Sequence, residues 1–292
     1  MSSPENSAPA LRIPPWLRVK LPSSKGYACT SALLSDLDLN TVCQSARCPN
    51  KWECFSRSVA TFLILGRECT RNCAFCNINP GLQLPPDADE PRRVAEGAAR
   101  LGLKHIVVTS VTRDDLPDGG AAHFGQTIRL VKERLPGCTV EVLIPDFQGD
   151  ADALETVLAA GPDVLNHNVE TVPRLYASIR PQADYAQSLE LLRRVAAHGS
   201  GIPAKSGLMV GLGETDEELR AVIRDMHGVG CGMITIGQYM RPSRNHPPVQ
   251  RYMPPEEFDT LAAYGRSIGV AKMFCAPLVR SSYHAAELAG AE

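Results

Sequence analysis

The chain has 292 residues, 44% of them hydrophobic, with 30 basic and 32 acidic side chains and a formal net charge of −2. That is ample length for a large core, and the near-neutral balance excludes a broad basic field for nucleic acid or an anionic membrane. No apolar run approaches the roughly 20 residues a spanning helix needs. Residues 1–20 carry neither an apolar signal region nor an Arg-rich amphipathic pattern, so a cytoplasmic protein is expected.

In chain order, residues 1–57 are rich in Pro, Ser and Lys, with little periodicity outside 31–39. From Ser58 onward, apolar β-rich runs alternate with helix-like stretches. Strands are expected at 60–65, 105–109, 139–144, 164–169, 205–210 and 233–239. Helices are expected at 91–101, 121–134, 151–160, 185–198, 216–226 and 255–267. Within 185–198, Leu189, Leu192, Val195 and Ala196 fall near one face, and Gly199 suits the position after a helix end. Thr215 followed by Glu218 reads as a capping box. The strands are nearly continuous in apolar residues, as parallel strands covered on both faces should be. Six such units imply a parallel sheet curved into a partial (β/α)6 barrel over 58–270, flanked by an N-terminal extension (1–57) and a C-terminal tail (271–292). Loops that follow strands gather at the C-terminal mouth of such a barrel.

The ten cysteines need an account. In a reducing compartment, thiols clustered at short spacing point to metal rather than to disulfides. Cys29, Cys138, Cys231 and Cys275 are scattered and read as small buried hydrophobes. Cys69, Cys73 and Cys76 follow the first expected strand, which places three thiols on one loop at the mouth. Three is one short of a closed zinc or simple iron–sulfur site, and the open corner suits a substrate. A zinc reading would need a fourth ligand, and the next histidine is distant His105. Cys43, Cys48 and Cys54 form a second set, C-x4-C-x5-C, inside the extension. On the residues alone this set is either a zinc pin or a second cluster completed by a weaker oxygen ligand.

C-x3-C-x-Phe-C after strand one of such a barrel resembles the radical S-adenosylmethionine (SAM) superfamily. The upstream cysteine set, the stretches at 109–120, 166–171, 205–214 and 237–242, and Arg-Ser-Ser-Tyr at 280–283 make nearly the whole chain similar to the lipoyl synthase family. The resemblance implies a 4Fe–4S cluster on Cys69, Cys73 and Cys76, whose open iron binds SAM and cleaves it to a deoxyadenosyl radical. It implies an auxiliary 4Fe–4S cluster on Cys43, Cys48 and Cys54, completed by a serine oxygen assigned to Ser282, with Ser281 as the fallback. The extension and tail would then close over the mouth. Thr112 stands where the family pattern places Asp.

The implied activity is insertion of two sulfurs, at C6 and C8 of a protein-bound octanoyl-lysine, by a sulfurtransferase that sacrifices its auxiliary cluster. Implied partners are octanoylated lipoyl domains or the glycine-cleavage H protein, an electron donor such as flavodoxin or ferredoxin, and iron–sulfur assembly proteins, with no nucleic acid and no membrane. Lipoyl-bearing domains are acidic, so a basic patch from Arg12, Arg18, Lys20 and Lys25 is expected to meet them. Asn166, Asn168 and Glu170 alternate on one face of strand four and are expected to bind SAM, the alternative being a polar rim. Lys205 is a candidate for its carboxylate, the alternative being a solvated rim lysine, and Arg241 for its carboxylate or adenosine. Gly119 and Gly120 read as a close backbone approach to SAM or as a plain turn, and His167 as a packed side chain. Another radical SAM sulfurtransferase, similar to biotin synthase, and an iron–sulfur carrier are the competing readings; a carrier would favour closed four-cysteine ligation.

Overall fold

Apolar runs separated by amphipathic stretches can bury both faces of a sheet by pairing in parallel with helices outside, and the computed structural model, which describes residues 11–19, 25–283 and 285, is built this way. The strands are β1 (Asn40–Thr41), β2 (Thr61–Ile64), β3 (His105–Ser110), β4 (Thr139–Leu143), β5 (Val164–Asn166), β6 (Ala204–Val210), β7 (Met233–Gln238) and β8 (Lys272–Cys275). They form one sheet in chain order, β1 to β8, which does not close on itself. β2 to β8 run parallel, and β1 is antiparallel to β2. The helices are α1 (Lys25–Asp36), α2 (Val42–Ser45), α3 (Lys51–Ser56), α4 (Glu90–Leu101), α5 (Ala121–Arg134), α6 (Ala151–Ala159), α7 (Tyr176–Ile179), α8 (Tyr185–Ala197), α9 (Asp216–Gly228) and α10 (Pro255–Ser267).

All six expected strand–helix units are present, and the partial barrel is confirmed, with two strands more than the periodicity reveals. β8 pairs with β7 from Lys272↔Met233 to Cys275↔Ile236, so the sheet continues to Cys275. Its four residues begin with a charged one and are too short to show a period. The extension is also more helical than expected. α1 buries only Thr30 and Leu34, and aromatic stacking holds it instead: Tyr27 lies 4.4 Å from the Trp52 ring and 5.6 Å from Phe55 on α3. Such contacts leave no periodic trace in sequence.

In α8, Leu192 and Val195 are buried as expected, joined by Ser188 and Leu191, while Leu189 is half-buried and Ala196 exposed. That helix ends on extended His198, and the left-handed turn falls at Gly201 (φ 72°) rather than Gly199. The Thr215–Glu218 capping box is present. Among the scattered cysteines, Cys138 and Cys231 are buried and Cys275 half-buried, but Cys29 is exposed.

The register places Leu63, Thr109, Leu143, Asn166, Lys205 and Met233 on one face, because paired residues of parallel strands point the same way. The opposite face, with Phe62, Ile106, Val140, Leu165 and Ile234, joins the main core with the helices. The inner face has its own small apolar group of Val164, Met233 and Phe274.

Candidate functional site

β2 leads into the first cysteine loop through left-handed Leu65 (φ 69°) and Gly66 (φ 110°). The loop is then pinned along its length. The Cys69 N–H donates to the Asn79 carbonyl at 3.0 Å, and the Gly81 N–H returns to the Cys69 carbonyl at 3.3 Å. Thr70 donates from its amide and its hydroxyl to the Thr112 carbonyl, at 3.1 and 3.0 Å. The amides of Thr112 and Arg71 point at Cys69 Sγ (3.3 and 3.4 Å), and that of Ile78 at Cys76 Sγ (3.5 Å). Amide dipoles aimed at ligating sulfurs are a means of setting a cluster's potential. Thr112 thus meets the loop through its backbone amide and carbonyl.

The middle of this loop is anchored by a residue that no motif marks. Arg71 is 7% exposed. Its guanidinium binds Asp114 at 2.7 and 2.9 Å and Asp146 at 2.8 and 2.7 Å. Burial works against its charge, but the Asp146 and Asp114 hydrogen bonds outweigh this and raise its pKa. Burial likewise opposes ionisation of Asp146, yet the Arg71 bond holds that carboxyl down at about 2. Arg180, 8% exposed, stands beside Cys73 and donates to the Asn168 carbonyl at 3.1 Å.

The second set is carried by α2 and α3. Cys43 sits in α2, whose first turn is capped by Thr41, and Cys54 sits in α3. The Cys48 amide closes back on the Cys43 carbonyl at 3.1 Å. Burial, then the neighbouring thiols, pushes Cys43 up to about 11 and Cys54 up to about 12. Burial also pushes Cys76 up to about 12. Thiols this reluctant to ionise alone become good ligands once a cation takes the proton's place, so loading should release protons.

The tail lies against this second set. Asn50 Nδ2 donates to the Leu278 carbonyl at 2.7 Å, and Tyr283 Oη to Glu53 Oε2 at 3.1 Å. The Tyr283 amide donates to the Arg280 carbonyl at 2.9 Å, which makes 280–283 a turn with half-buried Ser281 and Ser282 at its tip. Arg280 feels the charge of Cys48, and Tyr283 that of Cys54. Gly237 permits the crossing, since a Cβ there would collide with the Val279 carbonyl.

The expected SAM residues divide. Asn166 and Asn168 are buried, and neither Oδ1 has a hydrogen-bond partner among the described residues. Glu170 follows with φ 64°, and Asn168 Nδ2 donates to its Oε1 at 3.1 Å. A non-glycine residue held left-handed beside the unpaired Asn168 Oδ1 fits a polar ligand, whereas Asn166, the register partner of Lys205, donates from Nδ2 to Glu141 Oε1 at 3.4 Å. Burial raises the Glu170 carboxyl, opposed by Arg180, Asn168 and Arg280.

Lys205, a candidate for the SAM carboxylate, is paired with a buried acid. It lies near the start of β6, away from the mouth, with no exposure, and its ammonium binds both Glu141 oxygens at 2.8 and 2.9 Å. Burial pushes the Glu141 carboxyl up, against the Lys205 charge. Removing one partner of such a pair strands the other, so Lys205→Ala should cost about 3–5 kcal/mol in urea unfolding, while Lys205→Met with Glu141→Leu should be nearly neutral.

Arg241, the other candidate, is engaged within its own loop. It is exposed, and its guanidinium is spent on the carbonyls of His246 and Arg244, folding its own loop. Gly119 and Gly120 are left-handed (φ 60° and 92°), and Cβ atoms there would meet Phe147 and Leu65, so packing alone requires glycine. His167 is packed as expected, between the Ile144 carbonyl (2.9 Å) and Ser188 Oγ (3.1 Å).

The chemistry of the donors fits iron–sulfur clusters. A cubane takes one thiolate on each of three irons, so the three sulfurs need not crowd one point. Among the described residues, no three His, Cys, Asp or Glu side chains are gathered tightly enough to hold a single metal ion. An open parallel barrel with three thiols on the loop after its first parallel strand defines a radical SAM protein, and the profile of the radical SAM superfamily matches residues 63–226. The N-terminal domain of lipoyl synthase matches residues 2–48. The chain belongs to the lipoyl synthase family. A lipoyl synthase of Oleidesulfovibrio alaskensis is 68% identical over 285 residues, 98% of this chain and 97% of that protein. One of Caldanaerobacter subterraneus is 56% identical over 275 residues, 94% and 96% of the two chains.

Solved structures share the fold at low identity. The hydrogenase maturase HydG has a TM-score of 0.57 at 17% identity, covering 86% of this chain and 63% of its own. Methylornithine synthase has a TM-score of 0.50 at 16% identity, covering 84% and 81%. Family membership makes the chain an enzyme, a radical SAM sulfurtransferase whose cofactors are SAM and two 4Fe–4S clusters. Among the described residues no helix is long and apolar enough to cross a membrane.

Proposed function

We propose that this chain inserts sulfur at C6 and C8 of an octanoyl-lysine on a lipoyl domain, with the two thiol sets dividing the work. The observation that carries this reading is the turn at 280–283 held against the second set by Asn50 and Tyr283. When bound, the clusters supply the electron that cleaves SAM and the sulfur that is transferred. Cys69, Cys73 and Cys76 hold the first, and Cys43, Cys48, Cys54 and Ser282 the second. Asn166, Asn168 and Glu170 orient SAM through hydrogen bonds, while Arg180 places a fixed positive charge beside Cys73. The extension and tail keep water from the reacting groups.

The test is an anaerobic assay of reconstituted protein with an octanoylated lipoyl domain, SAM and a reductant, followed by mass spectrometry of the modified lysine. Gain of two sulfurs as the dithiol, with two hydrogens lost only after oxidation to the disulfide, supports the reading; SAM cleavage with an untouched octanoyl chain refutes it.

An oxygen ligand is replaceable where a thiolate is not. Ser282→Cys is therefore expected to retain auxiliary iron after one turnover and to lower single-turnover sulfur transfer by about tenfold or more. The physiological setting we infer is the cytoplasm, with flavodoxin or ferredoxin as donor, assembly proteins restoring the auxiliary cluster, and an octanoylated lipoyl domain or glycine-cleavage H protein as acceptor. Arg12, Arg18 and Lys25 are exposed, as an acidic acceptor requires, whereas Lys20 lies outside the described residues. Reversing those three charges should weaken acceptor binding, and unchanged affinity would remove the patch from the interface.

A further inference from the structure

Three loops meet between the two thiol sets, and each is hydrogen-bonded to the other two. Asn77, next to Cys76, donates from Nδ2 to the Ser45 carbonyl, between Cys43 and Cys48, at 2.7 Å. His246, in the loop after β7, has Nε2 3.0 Å from the Cys76 carbonyl. Arg47, also between Cys43 and Cys48, donates to the Pro242 carbonyl of that same loop at 3.4 Å. The triangle is thus closed.

Its parts are specified rather than incidental. A carbonyl can only accept, so Nε2 carries a hydrogen, and Nδ1 lies 2.9 Å from Ser243 Oγ. The Arg241 guanidinium binds the His246 carbonyl at 2.8 Å and that of Arg244, curling the loop that carries the ring. Arg47 adopts φ 50°, a backbone state that costs a non-glycine residue energy and persists only where surroundings enforce it.

We propose that Asn77, His246 and Arg47 are positioning residues that fix the separation of the two thiol sets, and so couple SAM cleavage at one to sulfur delivery from the other. This rests on the function proposed above. Cleavage needs only the first set, whereas sulfur transfer needs both at a defined distance. A misplacement of about 1 Å between reacting groups can cost on the order of 10²-fold. Loosening the triangle should therefore spend SAM without proportionate sulfur transfer.

The experiment uses the full chain with both clusters reconstituted, as wild type, Asn77→Ala, His246→Ala and His246→Gln. It reads iron content, the distance distribution between the reduced clusters by pulsed electron paramagnetic resonance, and deoxyadenosine formed per sulfur inserted. We expect unchanged iron, a broadened distribution in both alanine variants, and a deoxyadenosine-to-sulfur ratio raised about threefold or more. His246→Gln, whose amide can still donate to the Cys76 carbonyl, should lie nearer wild type. A wild-type ratio and distribution in both alanine variants overturn the proposal. Loss of iron from His246→Ala and His246→Gln alike would make that side chain a structural prop and overturn its positioning role, leaving Asn77→Ala to decide the remainder by the same ratio. If wild type itself transfers no sulfur, the function fails, and the inter-cluster distance still tests the triangle.

Discussion

Cys54→Ala is expected to abolish sulfur insertion while SAM cleavage persists, and Cys73→Ala to abolish both. The asymmetry follows from where the two thiols sit. Cys73 lies between the amide-lined Cys69 and Cys76, beside Arg180, on the loop that follows β2. Cys54 lies on α3, facing Cys43, Cys48 and the tail residue Tyr283. Each set has three thiols, so losing one leaves two, too few to hold a cluster against loss of iron. Deoxyadenosine release measured beside the mass of the acceptor peptide separates the two results. Sulfur insertion by Cys54→Ala would refute the assignment of the second set as sulfur source.

Arg71→Gln should have the next largest effect. It leaves Asp146 buried and Asp114 partly buried with their counter-charge gone. Breaking a buried pair by removing one partner costs about 3–5 kcal/mol, and the loss here falls on the segment between Cys69 and Cys73. The variant should fold less stably and bind less iron at the first set, with the second set loaded normally. Guanidinium titration and iron analysis of a variant that also lacks the second set would check both.

The same contact has a pH signature. The folded-state pKa of Asp146 is depressed from 3.8 to about 2. Its contribution is therefore fully present above about pH 4 and lost as pH falls through 2, worth about 2 kcal/mol. Arg71→Gln should flatten this part of the stability profile.

The legible part of this protein was short-range. A strand or helix imprints its period on neighbouring residues, so all six barrel units and the bounds of α5 and α10 could be read directly. Cysteine spacing likewise announces a shared ligand, because chain neighbours cannot avoid each other. β8 escaped for being four residues long, and of α1 only the part from Ser31 showed periodicity, its first turns being held by Tyr27 and Trp52 rather than by a periodic face.

What only the tertiary structure decided was the partner of each polar side chain. Lys205 looks like a rim lysine until Glu141, 64 residues away, is seen facing it inside the barrel. Arg71 meets Asp146 across 75 residues, Asn77 meets Ser45 across 32, and Tyr283 meets Glu53 across 230. The chain around an arginine or asparagine carries no mark of its counterpart, since a charge or amide can be satisfied by any complementary group the topology brings near. Residue type and spacing thus determined which atoms could hold metal, and folding determined which side chains hold those atoms still.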